Sequence, residues 1–257
     1  MAEICEAETE GIKQNSESIS FTPQHLKPGH YVADPGTAGA TTLLLQVSLP
    51  CLLFSPRRSQ DEDPTGESIL TLRGGTNAIA APQIDYTIQV FLPFIRRHFN
   101  IDPKLYVKRR GYFPRGGGEI SVIVPHAPGP LPPITLTSRG AVEVIRGRAY
   151  VAGSLPIRIA QLMADSAKAR IIASGIDRRL LDITAERERD TDAIGNGSGI
   201  ILWAETEEGC IIAGSAIGTR GTNAPETGKE AAEELVRNLE YGGCVDEYMQ
   251  VRCRHWL

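Results

Sequence analysis

Strand-like and helix-like segments alternate along this chain on both sides of a proline-rich stretch at residues 125–133. Such alternation restricts the fold to layers of helix packed on sheet, α/β or α+β. In the first half, extended pieces at 18–21 and 30–33 flank a turn at Lys27-Pro28-Gly29. Residues 37–49 are apolar nearly all round, which predicts a buried helix that kinks or ends near Pro50. A polar run at 55–68 reads as a surface loop, and a strand at 69–73 runs into Gly74-Gly75. A helix is expected to start around Pro82, with Ile84, Ile88, Phe91 and Ile95 on its apolar face and a bend at Pro93. Strands at 105–109 and 119–124, joined through Gly116-Gly117-Gly118, predict a hairpin. Beyond the break come a strand at 141–151, a helix at 156–174 and a strand at 180–184. A charged loop at 186–192, a hairpin of 200–205 with 210–213, and a helix at 225–240 that stops at Gly242-Gly243 complete the second half.

Composition narrows the function. Hydrophobic residues make up 41% of the 257 and charged residues 23%, enough for a sizeable buried core. The net charge of −4 means that any nucleic-acid contact must come from a local basic patch. Residues 1–18 carry Glu3, Glu6, Glu8 and Glu10 and read as a loose acidic tail without a secretory or mitochondrial signal. The longest apolar stretch, 43–54, is too short and too polar to span a bilayer. Cys5, Cys51, Cys210, Cys244 and Cys253 show no CxxC spacing, which argues against zinc and for a reducing compartment. His25, His30, His98, His126 and His255 fall in no HxxxH, HxH or HExxH spacing, so metal ligation is not indicated.

Three segments offer chemistry. Leu72-Arg-Gly-Gly-Thr-Asn77 before a helix is either an anion-holding turn or a plain strand-to-helix turn capped by Thr76 or Asn77. Between Arg96 and Arg115, seven cations (Arg96, Arg97, Lys104, Lys108, Arg109, Arg110, Arg115) are opposed only by Asp102. With Tyr112 and Phe113 interleaved, this segment suits a single nucleic-acid strand, or is a solvated basic hairpin. Asp192-Ala-Ile-Gly-Asn-Gly-Ser-Gly199 is a phosphate loop or, as the preferred reading, a turn into the Ile200 strand.

Several blocks in one order carry a family likeness. They are Asp34-Pro-Gly-Thr-Ala-Gly39 leading into Leu43-Leu-Leu-Gln-Val47, Gly74-Gly-Thr-Asn77 with Ala81-Pro-Gln-Ile-Asp-Tyr86, Arg110-Gly-Tyr-Phe-Pro-Arg-Gly-Gly-Gly-Glu119, and Gly242-Gly-Cys-Val-Asp-Glu-Tyr248. Gly147-Arg-Ala-Tyr-Val-Ala-Gly153 and Gly195-Asn-Gly-Ser-Gly-Ile-Ile201 add to them. Over about residues 19–250 the chain resembles the RNA 3′-terminal phosphate cyclases.

The resemblance implies an ATP-dependent enzyme of the ligase class, with Mg or another divalent metal as cofactor. It would convert an RNA 3′-phosphate to a 2′,3′-cyclic phosphate through a histidine–AMP intermediate. The implied fold is a large domain of repeated βαβαββ units with a smaller inserted α/β domain. Mapped here, residues 1–18 would be the tail and 19–130 part of the large domain. Residues 131–240 would be the insert, and 241–257 the returning large domain. By position, Gln46, Pro82 and Tyr248 match nucleotide contacts, while Lys108, Arg109, Arg110 and Arg115 are the RNA-binding candidates. RNA 3′ ends are the implied partner, with no membrane. The implied location is the nucleus if the source is eukaryotic and the cytoplasm otherwise.

The family's Gly-rich opening, with its acidic metal residue and RNA-binding arginines, has no counterpart in the acidic start here. Val251-Arg252 stand where the family has Asp-Gln. The family's nucleophilic histidine lies further downstream, and His255 does not fall in its motif. The chain as it stands is therefore expected to be inactive. An abrupt divergence at Val251 is what reading into an intron would produce, since valine codons begin with GT. Transcript sequence across Gln250 checks this. Two rival readings are a cyclase-like protein acting in ribosomal RNA processing without catalysis, and a fragment that does not fold stably. The Ala-Pro-Gln-Ile-Asp-Tyr block and Gln46 look more like the true cyclases.

Overall fold

A computed structural model describes residues 1–13, 15–56, 66–127 and 129–256, the side chains of 252–256 aside. The first half runs β3 (His30–Ala33), α1 (Thr41–Leu53), β4 (Ser68–Gly74), a helix α2 over residues 84–99, β5 (Lys104–Gly111) and β6 (Gly118–Val124), one βαβαββ unit. Its sheet has the order β3-β4-β6-β5, with β3 parallel to β4 and the other pairs antiparallel. Leu70, Leu72, Ile120 and Val122 point to one face, where Leu45, Leu49, Leu52 and Leu53 of α1 meet them. Each such buried side chain contributes roughly 1.5–3 kcal/mol.

The second half runs β7 (Val142–Ala152), α3 (Ile157–Ala173), β8 (Leu181–Arg187), β9 (Ala193–Ile194), β10 (Gly197–Thr206), β11 (Ile211–Ile217), α4 (Ala224–Glu240) and α5 (Glu247–Trp256). Its sheet has the order β11-β10-β7-β8. Strand β10 shows why the halves form one body. Ile200, Leu202 and Ala204 face α3 and α4, while Ile201 and Trp203 face the core around α2. Helix α2 is therefore sandwiched between the two sheets. Strand β9 adds itself in parallel to the edge of β5, a second tie. The mixed α/β layering expected from the alternation is what the chain adopts.

Four local expectations need correction. Residues 1–18 are not a loose tail: Ile4 and Cys5 are buried, and β1 (Glu8–Glu10) pairs with β2 (Ser20–Thr22). The glutamates point outward, and the apolar residues between them supply the packing face. Helix α1 passes through Pro50 to Leu53 instead of ending there. Helix α2 starts at Ile84 with Gln83 as its N-cap, so Pro82 precedes the helix. The discontinuity near Pro93 is a π-helical turn at Thr87–Phe91. A wider turn relieves the clash and the lost hydrogen bond that proline imposes on a regular helix. Of the expected loop at 55–68, residues 57–65 lie outside the described residues.

Four of the five cysteines, dispersed in sequence, meet in pairs. Cys5 stands beside Cys51, and burial followed by that neighbour pushes the Cys51 thiol up to about 11. Cys210 and Cys244 make a second such contact, and burial first raises the Cys210 thiol.

Candidate nucleotide cleft and basic hairpin

The Gly74-Gly75 turn spends its amides on neighbouring backbone. The Gly75 N–H donates to the Gly39 carbonyl at 2.8 Å, and that of Thr76 to Gly111 at 2.9 Å. Gly74 has φ +141°, and a Cβ there would lie 2.3 Å from the Gly39 oxygen. Glycine is required for close backbone packing, so the anion-loop reading gives way. Neither Thr76 nor Asn77 caps α2. Asn77 Nδ2 instead donates to Gln83 Oε1 at 3.0 Å and to the Tyr150 hydroxyl at 2.9 Å. Gln83 Nε2 in turn donates to the carbonyls of Ile200 and Ala216, both at 3.2 Å. The motif has become a buried polar joint between the sheets.

Charges surround that joint. Arg110 donates two hydrogen bonds to Asp85, each 2.7 Å, and pairs with Glu188 at 2.9 Å. Arg148 adds contacts to Asp85, Glu186 and Glu188. Burial pushes the Asp85 carboxyl up, but Arg110 and Arg148 reverse that push and hold it below the ordinary range. Arg110 is thus a structural cation and is withdrawn from the RNA-facing set. Tyr112 is buried and stacks on Tyr150 with centroids 6.0 Å apart, so it offers no ring to a base.

The other three cations behave differently. Arg109 donates to the Gly117 carbonyl at 3.1 Å, and Lys108 pairs with Glu119 at 3.0 Å. Arg115 is exposed. Arg73, Arg109 and Arg115 share a groove of about 400 Å³ with Asp34, Thr37 and Glu119. Phe113, 74% exposed, stands on the same hairpin. Asp102 takes Arg96 and Lys104 for itself, reducing the charge the segment presents.

Tyr248 lines a cleft of about 300 Å³ between the first-half loop and the second-half sheet. Ala78–Ala81 and Gln83 form one wall, Ser215–Ile217 of β11 another, and Glu230 and Glu234 of α4 a third. Asp246 positions Tyr248. It accepts from the Met249 amide at 2.9 Å, the N-cap of α5, and from the Tyr86 hydroxyl at 2.6 Å. Tyr86 meets the Tyr248 ring edge-on at 5.6 Å. Pro82 belongs to the same loop, between the lining residues Ala81 and Gln83 but not itself in the lining, and its carbonyl accepts from Thr42 Oγ1 at 2.8 Å. Gln46 lies one turn on from Thr42 along α1, and Pro50 removes the amide that would have satisfied the Gln46 carbonyl. The structure thus gathers Tyr248 with Ala78–Ala81 and Gln83 at one cleft and leaves both Pro82 and Gln46 outside the lining. No histidine, cysteine or lysine is among the described residues lining the cleft.

Glu234 is the residue that motif reading missed. Burial foremost, with Glu247 and Asp246 adding to it, pushes its carboxyl up to about 7. Ala232 and Leu235 on either side of it are buried in the core, and helical spacing alone gives no sign that the glutamate between them faces a cleft.

The third glycine motif is a turn, as preferred. Residues Ala193–Ile194 pair with β5, and a Cβ at Gly197 would lie 2.2 Å from the Tyr112 ring.

The family model for RNA 3′-terminal phosphate cyclase matches residues 1–254. The chain belongs to that family. Proteins named RNA 3′-terminal phosphate cyclase are similar to it in Staphylothermus marinus (38% identical), Ignicoccus hospitalis (35%) and Methanopyrus kandleri (37%), over 96–97% of this chain. The chain spans about two thirds of these relatives, 66–67% of their length. The cyclase match includes the acidic opening and Val251-Arg252, both of which the motif likeness had set aside. These relatives are archaeal, and archaea have no nucleus, so they lend no support to a nuclear location. No helix among the described residues is long and apolar enough to cross a membrane. No group of three or more His, Cys, Asp or Glu that could hold a metal ion is gathered among the described residues.

Proposed function

We propose that this chain supplies the nucleotide-holding cleft and an RNA-facing hairpin of an RNA 3′-phosphate cyclase acting with ATP. The observation that carries the reading is Tyr248, seated by Asp246 at the mouth of a cleft opposite the Pro82 loop. An aromatic face over a loop backbone suits a nucleoside base, which buries its faces and hydrogen-bonds through its edge. When bound, ATP would supply the activated phosphorus that makes an RNA phosphate electrophilic. The chain's own residues bind and orient: Tyr248 and the loop around Pro82 hold the nucleoside, while Gln46, outside the lining, keeps only its positional match to a nucleotide contact. Lys108, Arg109 and Arg115 draw in the RNA backbone, and Phe113 offers a stacking ring.

Equilibrium binding of ATP to the purified chain tests this. Binding is expected, and Tyr248→Ala should weaken it about tenfold, as loss of one stacking ring does. Absence of binding would sink the reading, and co-sedimentation with pre-ribosomes in its place would support the assembly role. With no histidine or lysine in the described cleft lining, incubation with radiolabelled ATP should leave no covalent AMP on the chain. A stable adduct would show a nucleophile where none is assigned.

A further inference from the structure

Among the described residues, one side chain of the cleft lining carries a buried polar atom without a partner. Glu234 Oε1 is buried and has no hydrogen-bond partner. The Ser215 backbone amide nearby offsets part of the burial of this carboxyl, yet leaves Oε1 without a partner. A buried polar atom without a partner costs about as much as a lost hydrogen bond, and such atoms persist where a ligand completes them. Glu234 shares the cleft wall with Tyr248 and Gln83.

We propose that Glu234 reads the base of the bound nucleotide, its Oε1 donating a hydrogen bond to N1 of an adenine. This deepens the nucleotide reading of the same cleft and rests on it. Charge decides which end of a nucleotide Glu234 meets. Glu230 lines the same wall, and Asp246 and Glu247 stand close by, so the triphosphate is repelled and the neutral base is not. Arg237, the nearby cation, is paired with Glu247 at 3.2 Å. The loop 78–81 and the β11 lining bring no titratable group. Burial among acids keeps the Glu234 proton on to about pH 7, so Oε1 can donate. Adenine N1 is a bare acceptor, whereas guanine N1 carries a hydrogen, so the same oxygen that welcomes adenine leaves two donors facing in guanine.

The test is the ratio of GTP to ATP dissociation constants for the full chain at pH 6.0 and 8.5. The ratio cancels the titration of the phosphates, which both ligands share. Wild type should prefer ATP about tenfold at pH 6.0 and lose most of that preference at pH 8.5. Glu234→Gln keeps a donor of the same shape, so it should prefer ATP at both pH values. Glu234→Ala should prefer neither nucleotide. An unchanged ratio in Glu234→Ala, with ATP still bound, overturns the inference alone. Failure of wild type to bind ATP overturns the nucleotide reading and this inference with it.

Discussion

At the scale of single residues, two carboxylates in this protein run opposite ways with pH. Asp85 is held below its ordinary value by Arg110 and Arg148, so its contribution is present above the unfolded-state value and is lost as pH falls through the folded one. Removing one partner of this pair leaves the other buried and unpaired. Asp85→Asn and Arg110→Met should each cost about 3–5 kcal/mol in urea unfolding at pH 7, and the double variant less than their sum. Equal, additive losses near zero would show that the pair is solvated. Glu234 is raised from 4.5 to about 7, so its contribution is full below the unfolded value and fades as pH climbs through 7. Glu234→Gln should therefore stabilise the chain by about 1–3 kcal/mol at pH 8 and by little at pH 4. A thermal melt series across pH checks the sign.

At the scale of elements, the β5–β6 hairpin shows what sequence could and could not reveal. The two strands and their glycine join were legible, because period-two patterning and turn chemistry are local. Which of Lys108, Arg109 and Arg110 faces solvent was not. The bulge between Val107 and Arg109 breaks the simple alternation along β5, and Arg110 is claimed by residues 25 and 78 positions away. The buried joint was hidden for the same reason: Asn77 and Tyr150 are 73 residues apart and leave no periodic trace. Tyr248 and the loop around Pro82, in contrast, were legible as candidates because their motifs are contiguous. The element therefore predicts a split among its arginines. Arg109→Ala with Arg115→Ala should weaken single-stranded RNA binding and lower the slope of log affinity against log salt by roughly 1.4, two phosphate contacts at about 0.7 each. Arg110→Ala should instead lower the melting temperature. Intact RNA binding in the double variant would place the strand elsewhere.

At the scale of the whole molecule, the question is whether one βαβαββ unit and the second sheet fold as a single body. Three ties argue that they do. Ile201, Trp203 and Ala213 of the second sheet complete the core around α2, β9 extends the first sheet, and Gln83 bonds to both β10 and β11. None of these could form in either half alone, and a fragment lacking them would expose the apolar face of α2. Stable folding is thus expected, contrary to the reading of the chain as a piece without a fold. In a Trp256→Phe background, Trp203 fluorescence reports the junction and far-ultraviolet circular dichroism reports both sheets. The two urea transitions should coincide. Gln83→Ala leaves two carbonyls and the Asn77 amide short of a partner and should cost about 2–3 kcal/mol, shifting both transitions together. If the Trp203 transition alone moved, the halves would be separately stable, and the cleft between them would be a hinge and not a fixed wall.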